Sequence, residues 1–180
     1  MIDNYSDKLQ YRAGEFSLNE SSRQEIEALK KQYPSARSAI LPALHVVQAQ
    51  FGFIPAEPMG ELAEILGILK GEVEQVVTFY RMYNQRPVGK FHVKICDSIS
   101  CYLRGSDELL EHGLNRLGTK LNETTADGQI TLSKIECLAA CGAAPCLQVN
   151  DEYVYNVQPE QLDEILDNLK SAEKNPYFIP

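Results

Sequence analysis

The chain has 180 residues, of which 44% are hydrophobic and 23% are charged, and its formal net charge is −8 at pH 7. This length fits one large domain or two small ones and can bury a core without disulfide or metal staples. The acidic balance argues against nucleic acid and anionic membranes as partners, because neither attracts a negatively charged surface. No stretch approaches the roughly 20 apolar residues of a membrane helix, and the N-terminus lacks the pattern of a signal or transit peptide. We therefore expect a cytoplasmic protein with no direct membrane insertion.

The first half of the chain is predicted to be helical. Residues 1–18 are polar and unpatterned, so we expect a flexible arm there. Residues 19–88 are predicted to form a helical N-terminal domain, because apolar residues recur at intervals of three and four in four segments. The four predicted helices end near Tyr33, Gly52, Gly67 and Tyr83.

After residue 88 the spacing of apolar residues changes from helical to alternating. The alternation predicts strands over residues 90–96 and 129–135. Two shorter apolar runs that flank Asp151 and Glu152 predict a hairpin.

Two amphipathic segments in the same half, residues 109–117 and 159–169, predict helices. The order strand–helix–strand–strand–strand–helix predicts an α/β fold with a mixed sheet for residues 89–170. The remaining residues, 171–180, are expected to form a C-terminal tail.

All five cysteines lie in this second half, and four of them form two close pairs. The patterns are C-x4-C for Cys96 and Cys101, and C-x3-C for Cys137 and Cys141. Each pair begins where a predicted strand ends, so adjacent strand ends would bring both pairs to one rim. Because a reducing cytosol disfavours disulfides, paired cysteines there indicate metal binding or redox chemistry.

Four thiolates can hold a [2Fe–2S] cluster or a structural zinc ion. The small residues between the paired cysteines favour the cluster, because they let backbone N–H groups approach the sulfurs. Zinc sites most often have two residues between paired cysteines. A thioredoxin-type active site is disfavoured because there is no C-x-x-C, and no histidine is placed for a Rieske centre. Spacing alone favours [2Fe–2S] but leaves zinc, buried thiols and redox thiols open.

The fifth cysteine, Cys146, follows Pro145 and enters a predicted strand at Leu147. It also forms a C-x4-C pattern with Cys141, so the spacing would allow it to replace a ligand. Its apolar surroundings in sequence favour a buried thiol outside the ligand set.

Several motifs around the cysteines resemble the 24-kDa (E) family of small iron–sulfur subunits of bacterial respiratory NADH:quinone oxidoreductase (complex I). The similarity extends over roughly residues 20–170. In the second half it rests on the segments PVGK (87–90), SC (100–101), LRG (103–105), ETTADG (123–128) and ECLAACGAAP (136–145). In the helical half it rests on ILPAL (40–44), GFIP (52–55) and TFY (78–80).

This resemblance implies a thioredoxin-like [2Fe–2S] ferredoxin domain behind a small helical bundle. It implies that the cluster ligands are Cys96, Cys101, Cys137 and Cys141. The chain would be an electron-transfer subunit of NADH dehydrogenase, without a complete active site of its own, that exchanges single electrons with FMN. FMN, NADH and a [4Fe–4S] cluster would lie on a flavoprotein (F) partner subunit. Both subunits would belong to the peripheral arm of the complex, on the cytoplasmic side of the inner membrane.

The sequence departs from the family's pattern at three places. Ala139 stands where the family usually has glycine, and Cys146 stands where it has an apolar residue other than cysteine. Residues 68–71 replace a commoner proline-bearing turn. No ligand is lost, but the methyl group of Ala139 is expected to crowd a backbone contact to sulfur.

Two other functions remain open from the sequence. One is the equivalent diaphorase small subunit of an NAD-linked hydrogenase or formate dehydrogenase. The other is a zinc-stabilised adaptor that holds the flavoprotein without moving electrons.

Overall fold

The structure, a computed structural model, describes residues 16–173 and Pro176. The chain divides into two compact units, Met1–Pro87 and Val88–Pro180. Residues 1–15 of the predicted arm lie outside the described residues, as does the predicted tail beyond residue 173 apart from Pro176.

The described part of the first unit is helical. Its helices pack around a core to which each of them contributes fully buried aliphatic side chains, such as Ile26, Leu44, Leu62 and Val73. The helices are α1 (Glu20–Gln32), α2 (Ile40–Phe51), α3 (Ala56–Leu66) and α4 (Lys70–Phe79), with a 3-10 helix (Ala36–Ala39) before α2.

Capping residues explain where α1 begins and where α2 ends. The Asn19 side chain accepts a hydrogen bond from the Ser22 N–H at 2.8 Å and so caps the start of α1. Helix α2 ends as predicted at Gly52, whose φ of 78° lies in the left-handed region that favours glycine.

Helix α4 ends four residues earlier than predicted. Tyr80 already has an extended backbone, with φ −90° and ψ 110°, so the helix stops at Phe79. Tyr83 is nevertheless 3% exposed, and its hydroxyl donates to the Leu41 carbonyl oxygen at 2.9 Å. The prediction of a helix to Tyr83 was wrong because this apolar residue packs into the core from a loop.

The described part of the second unit is an α/β domain with a four-stranded mixed sheet, as the sequence predicts. The strands are β1 (Phe91–Cys96), β2 (Ile130–Ile135), β3 (Leu147–Val149) and β4 (Glu152–Val154). The strand order is β2-β1-β3-β4, with β1 parallel to β2 and antiparallel to β3. The strand β4 pairs with β3 as a hairpin.

The described part of this unit also contains three α-helices and one 3-10 helix. They are α5 (Ile99–Tyr102), α6 (Ser106–Leu117), the 3-10 helix (Cys141–Ala143) and α7 (Pro159–Ser171). Helices α6 and α7 pack on the sheet through one apolar core that includes Leu109, Leu132 and Leu162. The single-turn helix α5 begins three residues after the end of β1 and is not among the predicted elements. Among the described residues, no helix is both long and apolar enough to span a bilayer.

Candidate metal centre

The two long strands of the second unit end side by side. Cys96 lies opposite Ile135 in the parallel register, and the Asp97 N–H donates to the Ile135 carbonyl oxygen at 3.0 Å. The segments that carry the two predicted cysteine pairs therefore leave the sheet at the same edge, as the sequence predicts.

Three thiols gather at this edge in a buried group made of Cys96, Cys101 and Cys146. Their Sγ atoms all lie within 4.8 Å of one another. Cys96 and Cys101 are each 2% exposed, and Cys146 is fully buried. Cys101 reaches the group because it lies in α5, whose one turn brings the chain back over the end of β1.

Within the group, the sulfur atoms of Cys101 and Cys146 lie 3.8 Å apart. Burial raises the pKa of both thiols above the ordinary value for cysteine. Both are therefore protonated in the metal-free protein, and a bound metal ion would have to displace protons from the thiols that ligate it.

The second predicted pair is exposed: Cys137 lies in the loop after β2, and Cys141 begins the 3-10 helix that follows this loop. The structure does not bring these two thiols into the buried group. Leu138, between them, is 6% exposed and packs in one apolar cluster with the three buried cysteines. The Cys96 thiol also donates to the Glu136 carbonyl oxygen at 3.8 Å. The loop is thus folded against the buried thiols, with its own two thiols on the outside.

Ala139 has a left-handed backbone conformation, with φ of 55°. Its N–H lies 3.3 Å from the Cys137 Sγ atom and donates to it. The backbone contact to sulfur that the methyl group was expected to crowd is therefore present. The left-handed φ gives a physical reason for glycine at this position, since a Cβ atom is unfavourable there.

The sequence predicts a buried Cys146 outside the ligand set, and the structure places this residue beside Cys101. Its burial agrees with the prediction, but its neighbours do not follow from the C-x4-C pattern with Cys141. They follow from the antiparallel pairing of β1 with β3, in which Ile95 lies opposite Leu147 and the Cys96 N–H donates to the Cys146 carbonyl oxygen at 3.1 Å. The pairing of β3 with β1 would have to be known before Cys146 could be placed beside Cys101.

The donors at this edge fit an iron–sulfur cluster. They are sulfur atoms from separate chain segments. Apolar residues surround the buried thiols, and the Ala139 N–H donates to the sulfur of the exposed Cys137. The histidines of this unit interact elsewhere: His92 Nε2 lies 2.8 Å from Ser133 Oγ, and His112 Nε2 lies 3.0 Å from the Asp163 carboxylate. Among the described residues, the potential metal ligands that lie together at this edge are thiols.

Comparison with protein families gives a match over most of the chain. Residues 26–170 match the family described as thioredoxin-like [2Fe-2S] ferredoxin. The chain is 44% identical over 152 residues to the E 2 subunit of NADH-quinone oxidoreductase from Rhizobium meliloti, and the match covers 84% of this chain and 90% of that protein. It is 38% identical over 159 residues to the E subunit of NADH-quinone oxidoreductase from Rickettsia conorii, with 87% of this chain and 95% of that protein covered.

Among solved structures, the chain resembles an NAD+-reducing [NiFe]-hydrogenase in the H2-reduced state. The TM-score is 0.66 at 18% identity, and the match covers 82% of this chain and 25% of that one. The chain thus spans about a quarter of the length of the hydrogenase chain. At this identity the similarity shows a shared fold only.

Proposed function

We propose that this chain, which belongs to the thioredoxin-like [2Fe–2S] ferredoxin family, is the E subunit of a bacterial NADH:quinone oxidoreductase and carries single electrons for it. One observation carries the proposal. Buried thiols gather at the common edge of two parallel strands, in a chain that is 44% identical over most of its length to the E 2 subunit of such a complex.

We propose Cys96, Cys101, Cys137 and Cys141 as the ligands. A [2Fe–2S] cluster needs two thiolates for each iron, and two pairs of cysteines at one edge of the sheet provide them. When bound, such a cluster takes up and releases one electron at a time. The exposed pair lies between β2 and β3, outside the strands, so it can turn toward the buried pair without breaking the sheet.

The surrounding residues prepare this edge for metal binding. Leu138 and Ala144, each 6% exposed, keep water from the buried thiols. The Ala139 N–H donates to the Cys137 sulfur and would stabilise its thiolate form. The sheet fixes Cys96 from both sides, through the carbonyl oxygens of Ile135 and Cys146 that accept from the Asp97 and Cys96 N–H groups.

The nucleotide chemistry is assigned to a partner. The chain contains no G-x-G-x-x-G segment for binding a dinucleotide. We therefore place FMN, NADH and a [4Fe–4S] cluster on the flavoprotein (F) subunit. Assembly with the peripheral arm of the complex would hold the chain on the cytoplasmic side of the inner membrane.

An exposed apolar patch beside the thiols supports a docking partner. Ile99 and Leu103 are 70% and 74% exposed, and Tyr102 between them is 54% exposed. They flank Cys101 on and directly after α5, so a protein bound to this patch would lie close to the cluster ligands. Exposed apolar patches mark interaction sites, and we assign this one to the flavoprotein subunit.

The test is to purify the full chain alone and with its flavoprotein subunit, and to measure iron, acid-labile sulfide and zinc. We expect iron and sulfide in the ratio of a [2Fe–2S] cluster. NADH is expected to produce the electron paramagnetic resonance signal of the reduced cluster only when the flavoprotein subunit is present. Zinc in place of iron and sulfide would contradict the proposal, as would a cluster that NADH does not reduce in the pair.

A further inference from the structure

We propose that Cys146 is a positioning residue whose S–H group donates a hydrogen bond to the Cys101 sulfur when that sulfur is a cluster ligand, and thereby raises the reduction potential of the cluster. The inference rests on the proposed function, because it requires Cys101 to be a ligand.

The distance between the two sulfurs supports a hydrogen bond. They lie 3.8 Å apart, which is within the range for a bond in which both donor and acceptor are sulfur. Cys146 is fully buried, so water does not compete for its thiol. Its Sγ atom is also within 4.8 Å of the Cys96 sulfur, the other buried ligand of the proposed set.

The sheet holds Cys146 in this position. Its carbonyl oxygen accepts the Cys96 N–H at 3.1 Å, and the next residue, Leu147, pairs with Ile95 in the antiparallel register of β1 and β3. The thiol is therefore attached to the same strand end that carries Cys96. A substitution of its side chain leaves these backbone bonds in place.

Chemistry sets the direction of the hydrogen bond. A cysteine that ligates iron is a thiolate, so Cys101 can only accept. A cysteine outside the ligand set carries its proton at neutral pH, so Cys146 can donate. Hydrogen bonds to ligand sulfurs stabilise the more negative, reduced state of a cluster and thus raise its potential.

The test compares the potential of the intact cluster in Cys146→Ala, Cys146→Val and Cys146→Ser with that of the unchanged protein, in the full chain. Iron and sulfide content is measured first, and the midpoint potential is then obtained by redox titration of the visible absorption. We expect full cluster content in all three variants and a negative shift of the potential in the Ala and Val variants. The Ser variant keeps an O–H donor and is expected to shift less than both.

The Val variant separates the hydrogen bond from packing. Val fills the space of the thiol without a donor, so a shift in Ala but not in Val would mean that a cavity causes it, and this would overturn the inference. An unchanged potential in both variants would overturn it as well. Loss of iron in the Cys146 variants would indicate that Cys146 is itself a ligand, and this result would also overturn the inference. Absence of iron and sulfide from the unchanged protein would instead refute the proposed function before any variant is compared.

Discussion

Cys96 lies directly opposite Ile135 at the ends of two parallel strands, and this register decides where the cysteines can meet. The segments after both residues begin at adjacent points of one sheet edge. The first segment turns back at once through α5 and buries Cys101, whereas the second packs Leu138 inward and leaves Cys137 and Cys141 exposed. A cluster bound by both pairs would join two segments that are distant in sequence.

The exposed cysteines provide the first prediction. Cys137→Ser and Cys141→Ser are each expected to remove or visibly alter the absorption of the cluster, because each change removes a proposed thiolate ligand. The fold of the protein should survive, since substitutions of exposed side chains usually change stability by less than about 0.5 kcal/mol. The check is a visible spectrum with far-ultraviolet circular dichroism of the same sample.

The matched control for the ligand set is Cys146→Ser, which changes a buried cysteine at the same edge. We expect this variant to keep the visible absorption. If it loses the absorption while the Cys137 and Cys141 variants keep theirs, the ligand set is wrong and Cys146 belongs to it.

The second prediction concerns the left-handed residue in the cysteine loop. Ala139 has φ of 55°, a conformation that costs an L-residue on the order of 1 kcal/mol more than glycine. Ala139→Gly is therefore expected to increase the free energy of unfolding by up to about 1 kcal/mol. The neighbouring Ala140 has φ of −115°, so Ala140→Gly should lower stability instead. Urea titration of both variants checks this, and a destabilised Ala139→Gly would contradict strain at this residue.

Local patterns predicted most of the second unit, because strand alternation and helical spacing are properties of neighbouring residues. The strand predicted over 90–96 is observed as Phe91–Cys96, and its partner predicted over 129–135 as Ile130–Ile135. Helix α5 was missed because a single turn is too short to show a period. The neighbours of Cys146 depend on the pairing of β3 with β1, a contact between distant residues that spacing along the chain does not encode.

The third prediction concerns two glycines in tight places of the second unit. A Cβ atom on Gly89 would lie 2.8 Å from the backbone oxygen of Gln129 and 2.9 Å from the backbone nitrogen of Ile130. Because backbone atoms cannot move aside cheaply, Gly89→Ala is expected to cost about 1–3 kcal/mol of stability. Urea unfolding followed by circular dichroism measures this cost.

Gly113 is the comparison within the same unit. A Cβ atom there would lie 2.9 Å from Leu132 Cδ2 and 3.1 Å from Leu162 Cδ2, which are the ends of side chains and not backbone atoms. Alanine also favours the helix over glycine by about 0.5–1 kcal/mol, which offsets part of the clash. Gly113→Ala should therefore cost less stability than Gly89→Ala, and the reverse order would contradict this difference in packing.

The fourth prediction is a pH dependence that comes from His92. Burial, together with the nearby charge of Lys94, lowers the pKa of this imidazole to about 3. Burial also lowers the pKa of Lys94, and the negative charge of Asp151 opposes this shift only in part. Well above pH 6.5 the imidazole is neutral in both the folded and the unfolded chain. As pH falls from 6.5 toward 3, the unfolded chain takes up a proton that the folded one does not, so stability decreases.

His92→Gln removes this titration and keeps a polar partner for Ser133, whose Oγ lies 2.8 Å from His92 Nε2. The variant is expected to lose less stability than the unchanged protein between about pH 7 and about pH 5. Urea midpoints at both pH values provide the measurement. Equal losses in the two proteins would show that His92 is not the source of the pH dependence.

The fifth prediction concerns the apolar patch beside Cys101. The double variant Ile99→Ser, Leu103→Ser is expected to weaken binding of the flavoprotein subunit about tenfold or more. The exposed Ile99 and Leu103 side chains would be buried in the complex, and the variant lacks the apolar surface that this burial removes from water. Leu69→Ser is the matched control, since Leu69 is also 74% exposed but lies in the first unit. The affinity is measured by titration of the purified flavoprotein, and the visible spectrum verifies that the cluster is intact. An equal loss of affinity in the control, or none in the double variant, would rule out the patch as the docking surface.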